Sequence, residues 1–362
     1  MVIPPVTADT TPPTISITST PAAVTNLNYA TFKFSASETV TYQFSIDGSS
    51  WISSTDPEIA LLGIPDGQHF IAVKAVDAAG NTSAVSSYAW MIDATIPTVS
   101  FTSKPAALTN LTDATFNLSS SETVTYSYRV DGGSWISAAA GDIALTGLAN
   151  GQHSIEVKGT DAAGSESSAL TYAWMIDTTV PTVSFTSKPA ALTNLKDATF
   201  DLSSSATLTY SYRVDGSSWI SAAGSVIALT GLADGSHSIE VQGVDAAGNT
   251  SAISTYAWMI DTTIPTVSFT SKPAAVTNLS NATFNLSSGE TVTYSYRVDG
   301  GSWISAAGSA IALTGLTDGQ HSIEVKGVDA AGNMSAISSY AWKIETVLPI
   351  ITMTSTPPAA TA

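Results

Sequence analysis

The sequence predicts an all-β chain, a tandem array of four small antiparallel β-sandwiches of about seven strands each. Three observations predict it. Landmark residues recur on one 84-residue lattice. Apolar and polar residues alternate in short runs, separated by turn signals roughly every 8–12 residues. No stretch sustains a 3.6-residue period with helix caps.

Trp51, Trp135, Trp219 and Trp303 set the lattice. Trp90, Trp174, Trp258 and Trp342 keep the same step, as do His69, His153, His237 and His321. Every tryptophan and histidine of the chain is thereby placed, with no insertion in any repeat. The unit exceeds the roughly 20–50 residues of a solenoid repeat and has the size of a complete small domain. The predicted domains are 11–94, 95–178, 179–262 and 263–346, after a linker over 1–10. Residues 349–362 match 265–278 in register, so 347–362 read as the start of a truncated fifth repeat. The first repeat departs most from the others, with Phe44 where they have Tyr128, Tyr212 and Tyr296.

The second repeat shows the elements in order. Residues 97–103 are short, β-branched and bounded by prolines, as an edge strand is. Along 114–118, Phe116 and Leu118 share a face. Along 123–130, Val124, Tyr126, Tyr128 and Val130 point inward and Thr125, Ser127 and Arg129 outward. Asp131, Gly132 and Gly133 make a hairpin turn, because glycine accepts the positive φ such turns need. Residues 134–137 follow, then a strand over 143–148. Asn150 and Gly151 turn the chain into 153–159, with His153, Ile155 and Val157 on one face. The turn from Asp161 to Gly164 leads into the last strand, 170–176. Seven such strands read as a two-sheet sandwich of the immunoglobulin type.

Bulk composition narrows the function classes. Charged residues are 11% of the chain, against roughly 25% in ordinary globular domains, and hydrophobic residues 44%. The net charge of −17 repels polyanions and so argues against nucleic-acid binding, while it suits solubility or the gathering of divalent cations. Without cysteine there are no disulfides, thiolate metal sites or cysteine nucleophiles. No window has the roughly 20 apolar residues of a membrane-spanning helix. Residues 1–8 lack the charged and apolar regions of a signal peptide, so an exported parent is expected to carry its signal elsewhere.

One family is brought to bear by particular residues. The run Asp66-Gly67-Gln68-His69, then Asp77, Gly80 and Asn81, then Tyr88, Trp90 and Asp93, and finally Pro97, resembles the bacterial immunoglobulin-like repeats of large surface proteins and adhesins. The resemblance covers the chain four times over. It implies an immunoglobulin-like sandwich and a location outside the cell or on the bacterial surface. Such repeats also decorate secreted hydrolases and phage surface proteins, so it implies the fold more sharply than the role.

The histidines open the sixth strand on its inner side, where sandwiches of this type often anchor a corner with tyrosine. His153 is expected to pack its ring there and bond backbone. A catalytic histidine would need a nucleophile and an orienting acid beside it, repeated four times. Trp90 and its counterparts share a face with Tyr88, Tyr172, Tyr256 and Tyr340, as core or edge-covering residues would. Trp51 and its counterparts follow a hairpin and are expected to be more exposed, where they can cover an edge or stack on sugar rings.

Acidic positions are the functional candidates. In this topology the sixth-to-seventh turn of one domain meets the fifth-to-sixth turn of the preceding one. Asp66, Asp93 and Asp161 are therefore expected to converge at the first junction. The later junctions offer Asn150, Asp177, Asp245 and Asn249, then Asp234, Asp261, Asp329 and Asn333. Ca²⁺ takes six to eight oxygen ligands, which such junctions can supply. The competing reading is ordinary turn chemistry, in which aspartate bonds its own backbone. In the second repeat Ser165 stands where the others carry asparagine, and Asn150 where they carry aspartate.

The linkers are short and carry a proline and β-branched residues, so the modules are expected to stack as semi-rigid rods. A module spans roughly 35 Å and four about 140 Å. The expected function is that of a non-catalytic spacer in a bacterial extracellular surface protein, holding a binding domain away from the cell. Its partners are then the adjacent repeats and a surface ligand, with no required cofactor, Ca²⁺ at the junctions, no nucleic acid and no membrane insertion of this segment. Two alternatives stand beside it. One is a protomer of a surface filament or sheath joined by strand addition from 349–362. The other is a glycan- or protein-binding module.

Overall fold

The runs of alternating residues form strands in a computed structural model of the chain, which describes residues 7–138 and 140–355. In the first repeat they are β1 (Ile15–Ser19), β2 (Val24–Thr25), β3 (Tyr29–Ala36), β4 (Thr41–Ile46), β5 (Ile52–Ser54), β6 (Glu58–Leu62), β7 (Gly67–Val76) and β8 (Ser86–Ile92). In the second they are β9 (Val99–Ser103), β10 (Leu108–Thr109), β11 (Ala114–Ser120), β12 (Thr125–Val130), β13 (Ile136–Ala138), β14 (Asp142–Leu145), β15 (Gly151–Thr160) and β16 (Leu170–Ile176). The same order recurs in the third repeat, from Val183–Ser187 to Ser254–Ile260, and in the fourth, from Val267–Ser271 to Ser338–Ile344.

Each repeat is a sandwich of a three-stranded and a five-stranded sheet, in the orders β9-β11-β14 and β10-β16-β15-β12-β13 for the second repeat. Pairing is antiparallel except for β10 on β16, which runs parallel with Thr109 opposite Ile176. This two-residue strand is the eighth, where alternation predicts seven; two residues are too few to display a period. It matters beyond its length, because Thr109 O accepts Asp177 N at 2.9 Å and so ties down the first residue of the linker.

Alternation buries one face of each sheet between the two. In the second repeat Phe116, Ile155, Val157, Trp174 and Ile176 are at most 1% exposed. The Phe116 ring meets Trp174 edge-on at 5.2 Å, a favoured aromatic geometry. Tyr172 packs beside it and donates its Oη to Pro105 O at 2.8 Å, fastening the last strand to the first loop. Tyr88, Tyr256 and Tyr340 make the same bond to Pro21, Pro189 and Pro273.

Two compact units, Met1–Thr179 and Val180–Ala362, contain two repeats each. Of the segments outside the repeats, 347–355 carry no strand, and the N-terminal linker carries none over 7–10. The rest of that linker, 1–6, and residues 356–362 of the expected fifth repeat lie outside the described residues. No helix long and apolar enough to cross a membrane occurs among the described residues.

Candidate metal centre

Within the first unit, the chain between its two repeats carries Asp93 immediately after β8. The backbone N–H of Asp93 donates to Thr25 O at 2.9 Å, and its Oδ1 accepts Thr95 N at 3.1 Å. Asp161 begins the β15–β16 turn, where its Oδ1 accepts Ser165 N at 2.8 Å. Glu122 lies between β11 and β12, next to Ser121, whose N–H donates to Thr98 O at 3.0 Å. Each of the three carboxylates places an oxygen within 4.8 Å of the other two. Two oxygens on one Ca²⁺ stand at most about 5 Å apart, so the set matches the span of a single hard cation.

The same constellation recurs in the second unit as Asp261, Glu290 and Asp329, and at the start of the first repeat as Asp9, Glu38 and Asp77. Charge crowding shows in the glutamates. Burial first, and then the neighbouring Asp93 and Asp161, push the Glu122 carboxyl above its ordinary value. Burial, Asp261 and Asp329 do the same to Glu290. A divalent cation would relieve both repulsions.

These triads overlap the expected sets only in part. Asp93, Asp161, Asp261 and Asp329 take part, but Asp66 does not. Its Oδ1 accepts Ala94 N at 3.3 Å and braces the linker. Asn150 accepts Thr178 N and Oγ1 at 3.0 and 2.6 Å, and Asp234 holds Thr262 in the same manner. The third carboxylate of each cluster is instead a glutamate that sequence reasoning passed over. Its signal was present: Glu38, Glu122 and Glu290 lie on the 84-residue lattice, with Ala206 in the third repeat. Of the remaining candidates, Asp177 accepts Thr179 N at 2.9 Å within the first unit. Asp245 accepts Ala247 N, Asn249 N and Asn249 Nδ2 at 2.8–2.9 Å within the second.

Position 165 and its counterparts decide how the turn aspartate is satisfied. Asn333 Nδ2 donates to Asp329 Oδ2 at 2.8 Å and to the linker carbonyl of Asp261 at 2.7 Å. Asn81 does the same to Asp77 and Asp9 at 2.8 and 3.1 Å. Side-chain bonding by Asn81 holds the Asp77 carboxyl below its ordinary value. In the second repeat Ser165 offers no amide, and Asp161 Oδ2 is buried with no hydrogen-bond partner.

Histidines and exposed tryptophans are occupied otherwise. His153 is buried, with Nδ1 at 2.8 Å from Asp131 Oδ2 and Nε2 at 2.8 Å from Ala149 O. The expected backbone bond is there. Trp135 has the Arg129 guanidinium 5.0 Å and the Lys158 ammonium 4.8 Å from its ring centre, and Trp51 has Lys74 at 4.4 Å. Arg129 is itself paired with Glu156 at 2.7 Å. These rings already serve the protein's own cations.

No protein-family model matches the chain, and no curated protein matches it. Solved structures of tandem sandwich proteins do. Fibronectin(III)-like modules of CbhA from Clostridium thermocellum are 15% identical with a TM-score of 0.32, over 45% of this chain and 94% of that one. A structure concerning host-cell-surface retention of a 1.5-MDa bacterial ice-binding adhesin is 15% identical with a TM-score of 0.34, over 70% and 98%. Immunoglobulin domains 1–5 of Sidekick-1 are 11% identical with a TM-score of 0.33, over 89% and 77%. At such scores these matches say nothing about what this chain does.

Proposed function

We propose that this chain is a non-catalytic spacer of a bacterial extracellular surface protein, whose consecutive sandwiches are braced by divalent cations, Ca²⁺ foremost, at their junctions. One observation carries the reading. A linker carboxylate, Asp93 or Asp261, shares a cluster with a glutamate and an aspartate of the following repeat. A cation there ties the linker to the next sandwich and removes a hinge. Hard oxygen ligands in this number favour Ca²⁺ over softer metals, with backbone carbonyls and water to complete the shell.

Supporting features come from the rest of the molecule. The linker prolines restrict φ, and the residues bracing each linker are repeated with it. The acidic surface and the absence of cysteine suit a secreted array that gains stability from packing and metal. Two surface tryptophan sites, Trp51 and Trp135, are capped by lysine or arginine, which favours a spacer over a sugar-stacking module.

Titration of Ca²⁺ into chelator-stripped protein tests the proposal. We expect binding heat and a rise in melting temperature, since a ligand present at 100 times its Kd adds about 2.7 kcal/mol. No heat and no thermal shift at millimolar Ca²⁺ would remove the cation from the reading.

A further inference from the structure

We infer that the residue four places after the turn aspartate selects how each junction is closed, and that Ser165 makes the junction between the first two repeats the tightest cation site in the chain. The inference rests on the cation reading above and adds a ranking among the sites.

Two arrangements of the same backbone carry it. At Asn333, both amide hydrogens are used: one goes to Asp329 Oδ2 and the other to the Asp261 carbonyl. The amide thus links the linker to the next repeat without a metal, and it occupies the carboxylate oxygen a metal would want. Asn81 repeats this bridge between Asp77 and Asp9 O. A cation entering either site competes with the bridge for Oδ2 and gives up one charge-assisted hydrogen bond.

Ser165 removes the competitor. Its backbone N–H still caps Asp161 Oδ1 at 2.8 Å, so the turn is kept. The other oxygen is left buried and unpartnered, beside Asp93 and Glu122. A buried carboxylate oxygen without a donor is destabilising, and more so next to two further carboxylates. The deficit is of charge and of one coordination partner together, which is what a hard divalent cation supplies. A cleft lined by Asn26, Ala94, Ile96, Gly164, Ser165 and Glu166 opens at the same junction. Binding here therefore starts from an unsatisfied ligand, and at the asparagine sites from a satisfied one.

Reciprocal substitutions in the full chain test this, with Ca²⁺ titrated calorimetrically into metal-free protein. Wild type is expected to show one site at least tenfold tighter than the rest. Ser165→Asn should weaken that site tenfold or more and raise the melting temperature in chelator. Asn333→Ser should add a second tight site and lower the melting temperature in chelator. Ser165→Ala, which supplies no amide, should bind as wild type does. Equal binding by wild type and Ser165→Asn, with heat still present, overturns the ranking and leaves the cation reading intact. Absence of Ca²⁺ heat in all variants overturns both.

Discussion

At the scale of single residues, the histidine is the most constrained group in each sandwich. Both ring nitrogens of His153 face acceptors, a carboxylate and a carbonyl, so both must carry hydrogen. The Ala149 carbonyl and then Asp131 raise its pKa above the ordinary 6.5, outweighing burial. His237 and His321 follow the same causes, while for His69 the bond it donates to Asp47 leads. A raised folded pKa adds stability that is fully present below about pH 6.5 and is lost as pH rises through the folded value. On the acid side, burial raises the Asp131 pKa, but His153 and Ser154 N outweigh it and hold it below 3.8. Its contribution is present above that value and lost as pH falls through the lowered one. Denaturant unfolding should therefore show stability falling as pH rises above 6.5, and ¹⁵N spectra should show imidazoles that keep their second proton past that ordinary value. Imidazoles that titrate near 6.5 would contradict the clamp.

At the scale of elements, the last strand of each repeat joins core to linker. Trp174 on β16 is 1% exposed and packs against Phe116 and His153, yet its indole N–H has no partner. The same is true of Trp90, Trp258 and Trp342. An unpaired buried donor costs about 1–3 kcal/mol, whereas the bulk of the ring is worth more. Trp174→Ala should cost about 3–5 kcal/mol in the transition of the second repeat. Trp174→Phe removes the unpaired donor along with some volume and should cost about 1 kcal/mol. Scanning calorimetry of the two variants separates the terms. A loss for Trp174→Phe well above about 1 kcal/mol would mean that the N–H finds water in solution.

At the scale of the whole molecule, the four sandwiches matter as complete bodies. Each three-stranded sheet already holds its own first strand, β1 and β9 in the first unit. An incoming strand finds no vacant position there, and the strands flanking the sheets are short, which discourages edge addition. Light scattering should therefore return a monomer that does not change with concentration. Growth into fibres would favour the filament alternative. The cation proposal belongs to this scale too, because sites of unequal affinity distributed over one chain would stabilise it in steps and not in a single transition.

The sequence by itself determined the fold class, the repeat and the identity of the turn aspartates. These follow from patterns confined to one segment or repeated at a constant spacing: alternation over β12 and β15, Asp131 with Gly132, and the tryptophan and histidine lattice. Glu122 was legible in principle, because its lattice positions are as regular as those of Asp161, but nothing local marks a glutamate in a polar turn as a ligand. Tertiary structure alone decided which carboxylates share a point in space. Asp66 and Asp93 are neighbours by topology, yet Asp66 Oδ1 accepts Ala94 N, while Glu122 arrives from a different turn beside Asp93 and Asp161. It also decided the meaning of Ser165, which reads as a minor substitution in the sequence. Only the packing around Asp161 turns a missing amide into a buried oxygen without a partner, because hydrogen-bond satisfaction depends on every chain segment that meets there.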